Sequence, residues 1–526
     1  MIARRIAAPS DRVLAAAAAP IPTGFADPAA PQIEGDEIRW GSAADLVDEV
    51  RRVARVRDEG DGTRLELDAA YDLLLPYFAW LYRPLVRLAV RRTLAHIADV
   101  LESRALGRPE PPPPRRPVWL TPDAITSRQT GAIAATAAAL VVAGYGGGLF
   151  TQAADFIAKS FHATDANLGV ALAITRAGTL VGIAGAAFAD RRGRRRIMLA
   201  SVAGICAASA LTALAPNLGV FTLLQVFVRG CVQLATVVGF IAVTEEAPEG
   251  SRAFLLAVAG MAAGAGFAIG AAMLPVADVA PGAWRVMFAV AGLGLLSLRG
   301  LARRMPETGR YAAIADRAAG ASAGELIDPL YGGRFVLVAS VVFLLGFFGT
   351  PSLQFTNRYL QDERGFTAVG IVWLRAVTQG FPALAAIVAG GRLAESRGRK
   401  PIAARSTFAL ALASAAFFLW SGVGLWTAML IGTIAGAMSG PALTAFNTEL
   451  FPTEVRGRAA GALLAAGVAG SVAGLLLVGY LSDPLGGIGR AVAVTCVVPL
   501  IVAVFLIPRL PEGRGRALDE LSPPEV

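Results

Sequence analysis

GAAFADRRGRRR at residues 185–196 and GGRLAESRGRK at residues 390–400 are two versions of one phrase. Each joins an apolar helix end to a carboxylate, a glycine and a basic cluster, aligning Asp190 with Glu395 and Gly193 with Gly398. A second phrase also occurs twice. EEAPEGSRA (245–253) matches ELFPTEVRG (449–457), aligning Glu245 with Glu449, Pro248 with Pro452 and Arg252 with Arg456. The offsets are 205 and 204 residues. Two independent motifs repeating at one offset mean two halves of similar build. Parallel halves of this kind form a solute site between them near the middle of a bilayer.

Outward from these motifs the chain is apolar. Of its 526 residues 55% are hydrophobic and 17% charged, against about 25% charged in soluble domains. Twelve apolar runs follow Thr130, each near the ~20 residues that cross a ~30 Å hydrocarbon core. They fall at about 131–150, 167–189, 197–215, 218–243, 253–277, 283–302, 335–351, 368–391, 403–421, 424–447, 458–481 and 489–508. The links after even-numbered runs hold the positive charge: Arg191, Arg192, Arg194, Arg195 and Arg196 after the second, Arg397, Arg399 and Lys400 after the eighth. The links after the third (APN) and ninth (SGVG) hold none. Cytoplasmic loops are the basic ones, so both termini are expected in the cytoplasm. The net charge of +9 is therefore a topology signal rather than a nucleic-acid surface. Glycines spaced four apart, such as Gly260/Gly264, Gly266/Gly270 and Gly470/Gly474, suit close helix packing.

Residues 1–127 carry 17 Arg against 18 Asp and Glu and contain no long apolar run before residue 70. From Tyr71 to Leu101 leucines recur near helical spacing, while Arg83, Arg87 and Arg91 stand four apart on another face. That pattern fits a helix lying on an anionic membrane surface; an amphipathic helix inside a small soluble domain fits it equally. RPEPPPPRRPVWLTP (108–122) reads as a stiff Pro-rich spacer. Three cysteines (Cys206, Cys231, Cys496) lie in apolar runs and two histidines (His96, His162) stand far apart, so no disulfide framework or metal site is expected.

The repeated motifs resemble those of the major facilitator superfamily, over roughly residues 130–522. The stretches at Asp190 and Glu395 are similar to its loop motif G-x-x-x-(D/E)-(R/K)-x-G-R-(R/K), although Ala186 stands at the first copy's glycine position and Ser396 replaces a basic residue. Trp284-Arg285, then Pro306-Glu307-Thr308-Gly309-Arg310-Tyr311, then Leu510-Pro511-Glu512-Gly513-Arg514-Gly515-Arg516 with Leu518-Asp519-Glu520, resemble the sugar- and metabolite-porter branch. The paired glutamines with which sugar porters hold hydroxyls are missing from the seventh run. The G-P step of drug–proton antiporters is missing from the fifth. The resemblance implies a gating role for Asp190, Arg191, Gly193, Arg194, Glu245, Arg252, Gly391, Glu395, Gly398, Arg399, Glu449 and Arg456.

Ionisable residues inside spans are functional candidates by default. Arg176 lies 14 residues before Asp190, ~21 Å along a helix, and Arg229 lies 16 before Glu245, ~24 Å. Two arginines of one half thus share a depth, with no Asp or Glu in the middle of any span. Arg375 and Gln379 complete the candidate solute-binding set, Arg375 being near a span's outer end, where it is free to snorkel. Gly320-x-Ser322-x-Gly324 matches a hydrolase elbow but has no strand before it and no histidine nearby. No enzymatic activity and no cofactor are expected.

The sequence predicts an all-α membrane protein with twelve transmembrane helices in two pseudo-symmetric six-helix halves. Its expected organisation is an N-terminal cytoplasmic segment with an amphipathic helix (1–108), a linker (109–130), two six-helix halves (131–304 and 335–508) around a central loop (305–334), and a tail (509–526). The expected function is secondary transport of a metabolite, sugar-like compound or organic anion by alternating access. Drug or waste efflux is the rival within transport, and a non-transporting membrane sensor or scaffold the rival outside it. Expected partners are the small solute, with or without a coupled proton, and the lipid bilayer; no nucleic acid is expected, and the chain is expected to work as a monomer in the plasma membrane.

Overall fold

A computed structural model describes the chain except residues 1, 20, 23–30, 41–46, 60–61, 74–76, 115–116, 118–124, 249–250, 306–328, 450–452 and 511–526. The elbow-like serine, the PETGRY stretch and the tail beyond Leu510 therefore lie outside the described residues. Two compact units result. One holds residues 1–140 with 238–262 and 299–314; the other holds 141–237, 263–298 and 315–526.

Twelve helical segments match the twelve runs: Ser127–Ser160, Asp165–Arg192, Arg194–Thr212, Leu218–Glu246, Arg252–Ala272 with Leu274–Ala277, Trp284–Gly292 with Gly294–Arg304, Pro329–Arg358, Ala368–Arg397, Arg399–Leu419, Val423–Glu449, Thr453–Leu481, and a broken twelfth from Ile488 to Arg509. Eleven are long and apolar enough to cross a membrane; the second, Asp165–Arg192, is a 28-residue helix outside that set. They are called the first to twelfth spans below.

Local chemistry sets their ends. Thr126 and Gln129 form a reciprocal box at the start of the first span: Gln129 N–H donates to Thr126 Oγ1 (3.3 Å), and Thr126 N–H to Gln129 Oε1 (2.9 Å). Gln129 Nε2 also donates to the Glu246 carbonyl at the end of the fourth span (2.7 Å). Thr367 accepts from Gly370 N–H to start the eighth span. The two repeat glycines both turn the chain with positive φ, 91° at Gly193 and 100° at Gly398, between the second and third and the eighth and ninth spans. A side chain would be strained there, which is why both copies keep glycine.

Pseudo-symmetry continues into the packing. A Cβ on Gly144 would lie 1.9 Å from the Ala263 carbonyl and one on Gly266 2.0 Å from that of Val141, so the first and fifth spans touch backbone to backbone. Their counterparts, the seventh and eleventh, do the same: Gly470 against Phe343 O at 2.0 Å and Gly474 against Phe347 O at 1.9 Å. Dispersion and interhelical polar contacts hold such interfaces in lipid, and both need close approach. A Cβ on Gly260 or Gly264 would meet nothing within 4 Å among the described residues, so their spacing signals no close approach there.

The N-terminal segment holds more than a helix. Strands β1 (Ile2–Ile6), β2 (Gln32–Glu34), β3 (Glu37–Trp40), β4 (Val47–Asp58) and β5 (Thr63–Leu73) form an antiparallel sheet in the order β1-β5-β4-β3-β2. Helices α1 (Ser10–Ala16) and α2 (Ala79–Ala105) accompany it. Inward residues alternate with polar ones: Val50, Ala54 and Val56 in β4, Thr63, Leu65 and Leu67 in β5. From α2, Val90, Leu94, Ile97 and Leu101 are buried, and Arg4 of β1 pairs with Asp99 and Glu102. Hydrogen bonds from Arg55 and Arg39 hold the Glu37 carboxyl below its ordinary range. The helix expected from Tyr71 begins at Ala79, because β5 runs on through Leu73.

Candidate functional site

The first and seventh spans both run further than their apolar stretches suggest. The first continues to Ser160, carrying Thr151, Gln152, Asp155 and Lys159; the seventh reaches Arg358 and then winds as a π-helix over Tyr359–Glu363, carrying Gln354, Asn357, Arg358 and Asp362. Tyr359 fixes that irregular turn through its hydroxyl, which lies 3.0 and 2.9 Å from the carbonyls of Phe417 and Phe418. Glu363 accepts from Gly489 N–H at the start of the twelfth span. Both polar stripes thereby face one another at the end of the bundle opposite the arginine-rich links, here called the far end.

A seam of polar contacts crosses between the halves at this end. Arg375, expected to snorkel, is instead buried, 7% exposed. It donates through Nη1 to Gln152 Oε1 (2.8 Å) and through Nη2 to Asn357 Oδ1 (2.7 Å). Asn357 Nδ2 donates in turn to the Gln152 carbonyl (2.8 Å) and Oε1 (3.0 Å), and Thr151 donates to Gln354 Oε1 (2.8 Å). The snorkelling expectation fails because the eighth span turns Arg375 toward neutral amides of two other spans, which satisfy its donors inside the protein. Gln379, four residues on, is half-buried.

Just beyond lies a charge network. Arg358 donates to Asp165 (2.6 Å) and Asp155 (3.2 Å) of the other half and lies 3.4 Å from Asp362 on its own helix. Lys159 pairs with Asp155 (2.8 Å) and reaches across to Asp362 (2.8 Å). Asp155, only 1% exposed, has a cation on each oxygen. Unpaired, such a burial would cost several kcal/mol. Alongside, Gly169 and Gly479 bring the second and eleventh spans together: a Cβ on either would lie 3.1 Å from the other's Cα. The far end is closed by ion pairs, amides and backbone contact at once.

Deeper in the bundle, Arg176 and Arg229 line one narrow cavity with Gly147, Thr151, Gln225 and Gln354. Its wall comes from the first, second, fourth and seventh spans, hence from both halves, and carries no carboxylate among the described residues. Among the described residues Arg229 makes only long contacts, 3.4 Å to Thr179 Oγ1 and 3.5 Å to the Gly147 carbonyl. Three buried donors, Arg176 Nε, Arg375 Nε and Gln152 Nε2, have no hydrogen-bond partner among the described residues. Buried donors are nearly always paired, so unmet ones point to a water or ligand acceptor.

The motif residues of the basic end are placed less fully. Gly193 and Gly398 form the two turns, Arg194 and Arg399 begin the helices that follow, and Glu245 is half-buried in the fourth span's last turn. The side chains of Asp190, Arg191, Arg252, Gly391, Glu395, Glu449 and Arg456 lie outside what is described. Sequence reading missed Gln152, Asn357, Arg358, Asp165 and Asp362. The available signal was fourfold spacing: Thr151, Asp155, Lys159 and Gln354, Arg358, Asp362 each form one helical stripe.

The sequence profile described as Major Facilitator Superfamily matches residues 136–423 and 359–522. Among solved structures the chain is similar to the inward-open xylose transporter XylE from E. coli, with a TM-score of 0.63 and 17% identity over 75% of this chain and 99% of that one. It is also similar to a bacterial homologue of the human lysosomal transporter Spinster (TM-score 0.59, 18% identity, 72% and 96% covered). A third similar structure is the nucleoside transporter NupG (TM-score 0.59, 12% identity, 73% and 98% covered). No curated protein matches the sequence. At these identities the structural likeness speaks for the fold.

Proposed function

This chain belongs to the major facilitator superfamily, and from that premise we propose that it carries a small organic anion. It is a secondary active transporter working by alternating access. The observation that supports an anion is the surplus of donors: Arg176 and Arg229 in one cavity without a carboxylate, and unpaired Arg176 Nε beside them. The cavity, about 20 Å³, has room for a water; widened as the spans separate, it would let a carboxylate or phosphate supply the missing acceptor and bind both guanidinium groups. The closed far end bars entry from that side in the described conformation, and we propose that solute enters from the basic end, which the charge bias assigns to the cytoplasm.

A neutral polyol is the second reading. It is favoured by Thr151, Thr175, Gln225 and Gln354 on the same wall, and xylose transporters share the fold. The deciding experiment is uptake by proteoliposomes of organic anions, sugars and organic cations, with and without a pH gradient. Arg229→Gln is expected to raise the KM for a transported anion at least tenfold, the loss of about one charge-assisted hydrogen bond, with insertion unchanged. Uptake of neutral or cationic compounds alone would contradict the anion reading.

At the basic end we assign Asp190, Glu395 and their neighbouring arginines to gating, made in one conformation and broken in the other. Asp190→Asn and Glu395→Gln should then lower turnover while leaving solute binding intact, measured by uptake and equilibrium binding on one preparation. Affinity lost in proportion to turnover would place these residues in the binding site instead.

A further inference from the structure

Helix α2 changes character along its length. From Thr93 onward it is largely buried against its own sheet. Its first turns are not: Trp80 is 75% exposed, and Leu81, Leu85 and Leu88 are 49%, 37% and 48% exposed. Between these apolar side chains stand Arg83, Arg87, Arg91 and Arg92, all exposed, with no Asp or Glu on the helix before Asp99. A surface facing water alone would not keep a tryptophan and three leucines outside while a core stood a turn away.

The start of the helix is also tethered. Tyr77, just before it, lies against the end of the sixth span: the Arg304 guanidinium sits 5.5 Å from its ring centroid, and a Cβ on Gly300 would fall 3.1 Å from its hydroxyl. Arg304 is in the last turn of that span, where a transmembrane helix emerges into the headgroup region. The exposed apolar row therefore begins beside a helix leaving the bilayer.

We propose that residues 77–92 are an interfacial anchor, with Trp80, Leu81, Leu85 and Leu88 in the headgroup–acyl boundary and Arg83, Arg87, Arg91 and Arg92 on anionic lipid headgroups. Three features argue for lipid as the occupant: the tether at a span's exit, the uniformly positive charge, and the mixture of tryptophan and leucine with arginine that interfacial helices use. The anchor fixes the sheet domain to the leaflet into which the sixth span emerges.

The full-length protein in nanodiscs tests this directly. Acyl chains brominated near the headgroup quench a tryptophan that enters the boundary, and subtracting the spectrum of Trp80→Phe isolates Trp80. The Trp80 component is expected to be strongly quenched in phosphatidylglycerol-containing discs and less in pure phosphatidylcholine. Replacing Arg83, Arg87 and Arg91 with Gln should raise, several-fold, the anionic-lipid fraction needed for half-maximal quenching. Unchanged hydrogen exchange over Leu94–Leu101 would show that this variant still folds. An unquenched Trp80 with water-like emission in both lipids would overturn the proposal. So would quenching equal in the two lipids and untouched by the arginine changes, or Trp80 shielding that depends on protein concentration, which would mean a second copy covers the row.

Discussion

Replacing Arg358 with Gln removes the central cation of the far-end network. Its guanidinium is 13% exposed and reaches two carboxylates of the other half, Asp165 at 2.6 Å and Asp155 at 3.2 Å. A hydrogen bond to a charged group contributes about 1.5–3 kcal/mol. Both bonds join the halves, so they stabilise only the state in which the far end is shut. Two such bonds sum to about 3–6 kcal/mol, and Lys159, which still covers Asp155 and Asp362, offsets part of that, leaving roughly 2–4 kcal/mol for the pair. The closed-to-open equilibrium then shifts by ~30-fold to ~1,000-fold toward the far-open state. Thr175 reports this well, because it lines the cavity and its hydroxyl bonds its own helix at Ala171. With Cys206, Cys231 and Cys496 changed to Ser, a Thr175→Cys reporter is exposed to a membrane-impermeant maleimide from the far side. Arg358→Gln should speed labelling at least ~30-fold, the lower bound of that shift. Equal labelling rates in two well-folded proteins would refute the idea that this network shuts the far end.

The close approach of the seventh and eleventh spans is testable separately. Gly474→Val would place its Cβ 1.9 Å from Phe347 O and should lower stability by about 1–3 kcal/mol, the usual cost of overpacking, whereas Gly264→Ala, whose Cβ would meet nothing within 4 Å among the described residues, should be near neutral. Thermal unfolding in detergent distinguishes them; equal stabilities would show that the close approach is dispensable.

The membrane half of the fold was readable because hydrocarbon imposes one solution: long apolar helices with their backbone bonds satisfied internally. All twelve runs became helices, and the repeat glycines became matching turns. The ends of the first and seventh spans were misjudged for the same reason. Bounding a span where apolarity stops at residue 150 or 351 discards polar residues that continue the helix into the protein interior. Asp155 and Asn357 stay helical because partners from the other half satisfy them, and such partners are far away in sequence. The sheet was missed because a one-sided strand alternates, as Thr63, Leu65 and Leu67 do around Arg64 and Glu66, and so shows no apolar run. That Arg176 and Arg229 share a cavity wall was legible from depth alone, since equal distance from a helix end does not require knowing which helices touch.

Alternating access itself is tested by two distances measured in one preparation. Spin labels at Asn167 and Val369 report the separation of the halves at the far end, and labels at Arg195 and Arg397 report it at the basic end; all four positions are exposed. Pulsed electron resonance on the otherwise native protein and on Arg358→Gln should show the far-end distance lengthening as the basic-end distance shortens. Two distances that move together, or a far end that opens while the basic end stays as it was, would contradict the rocking of two halves about a central solute site.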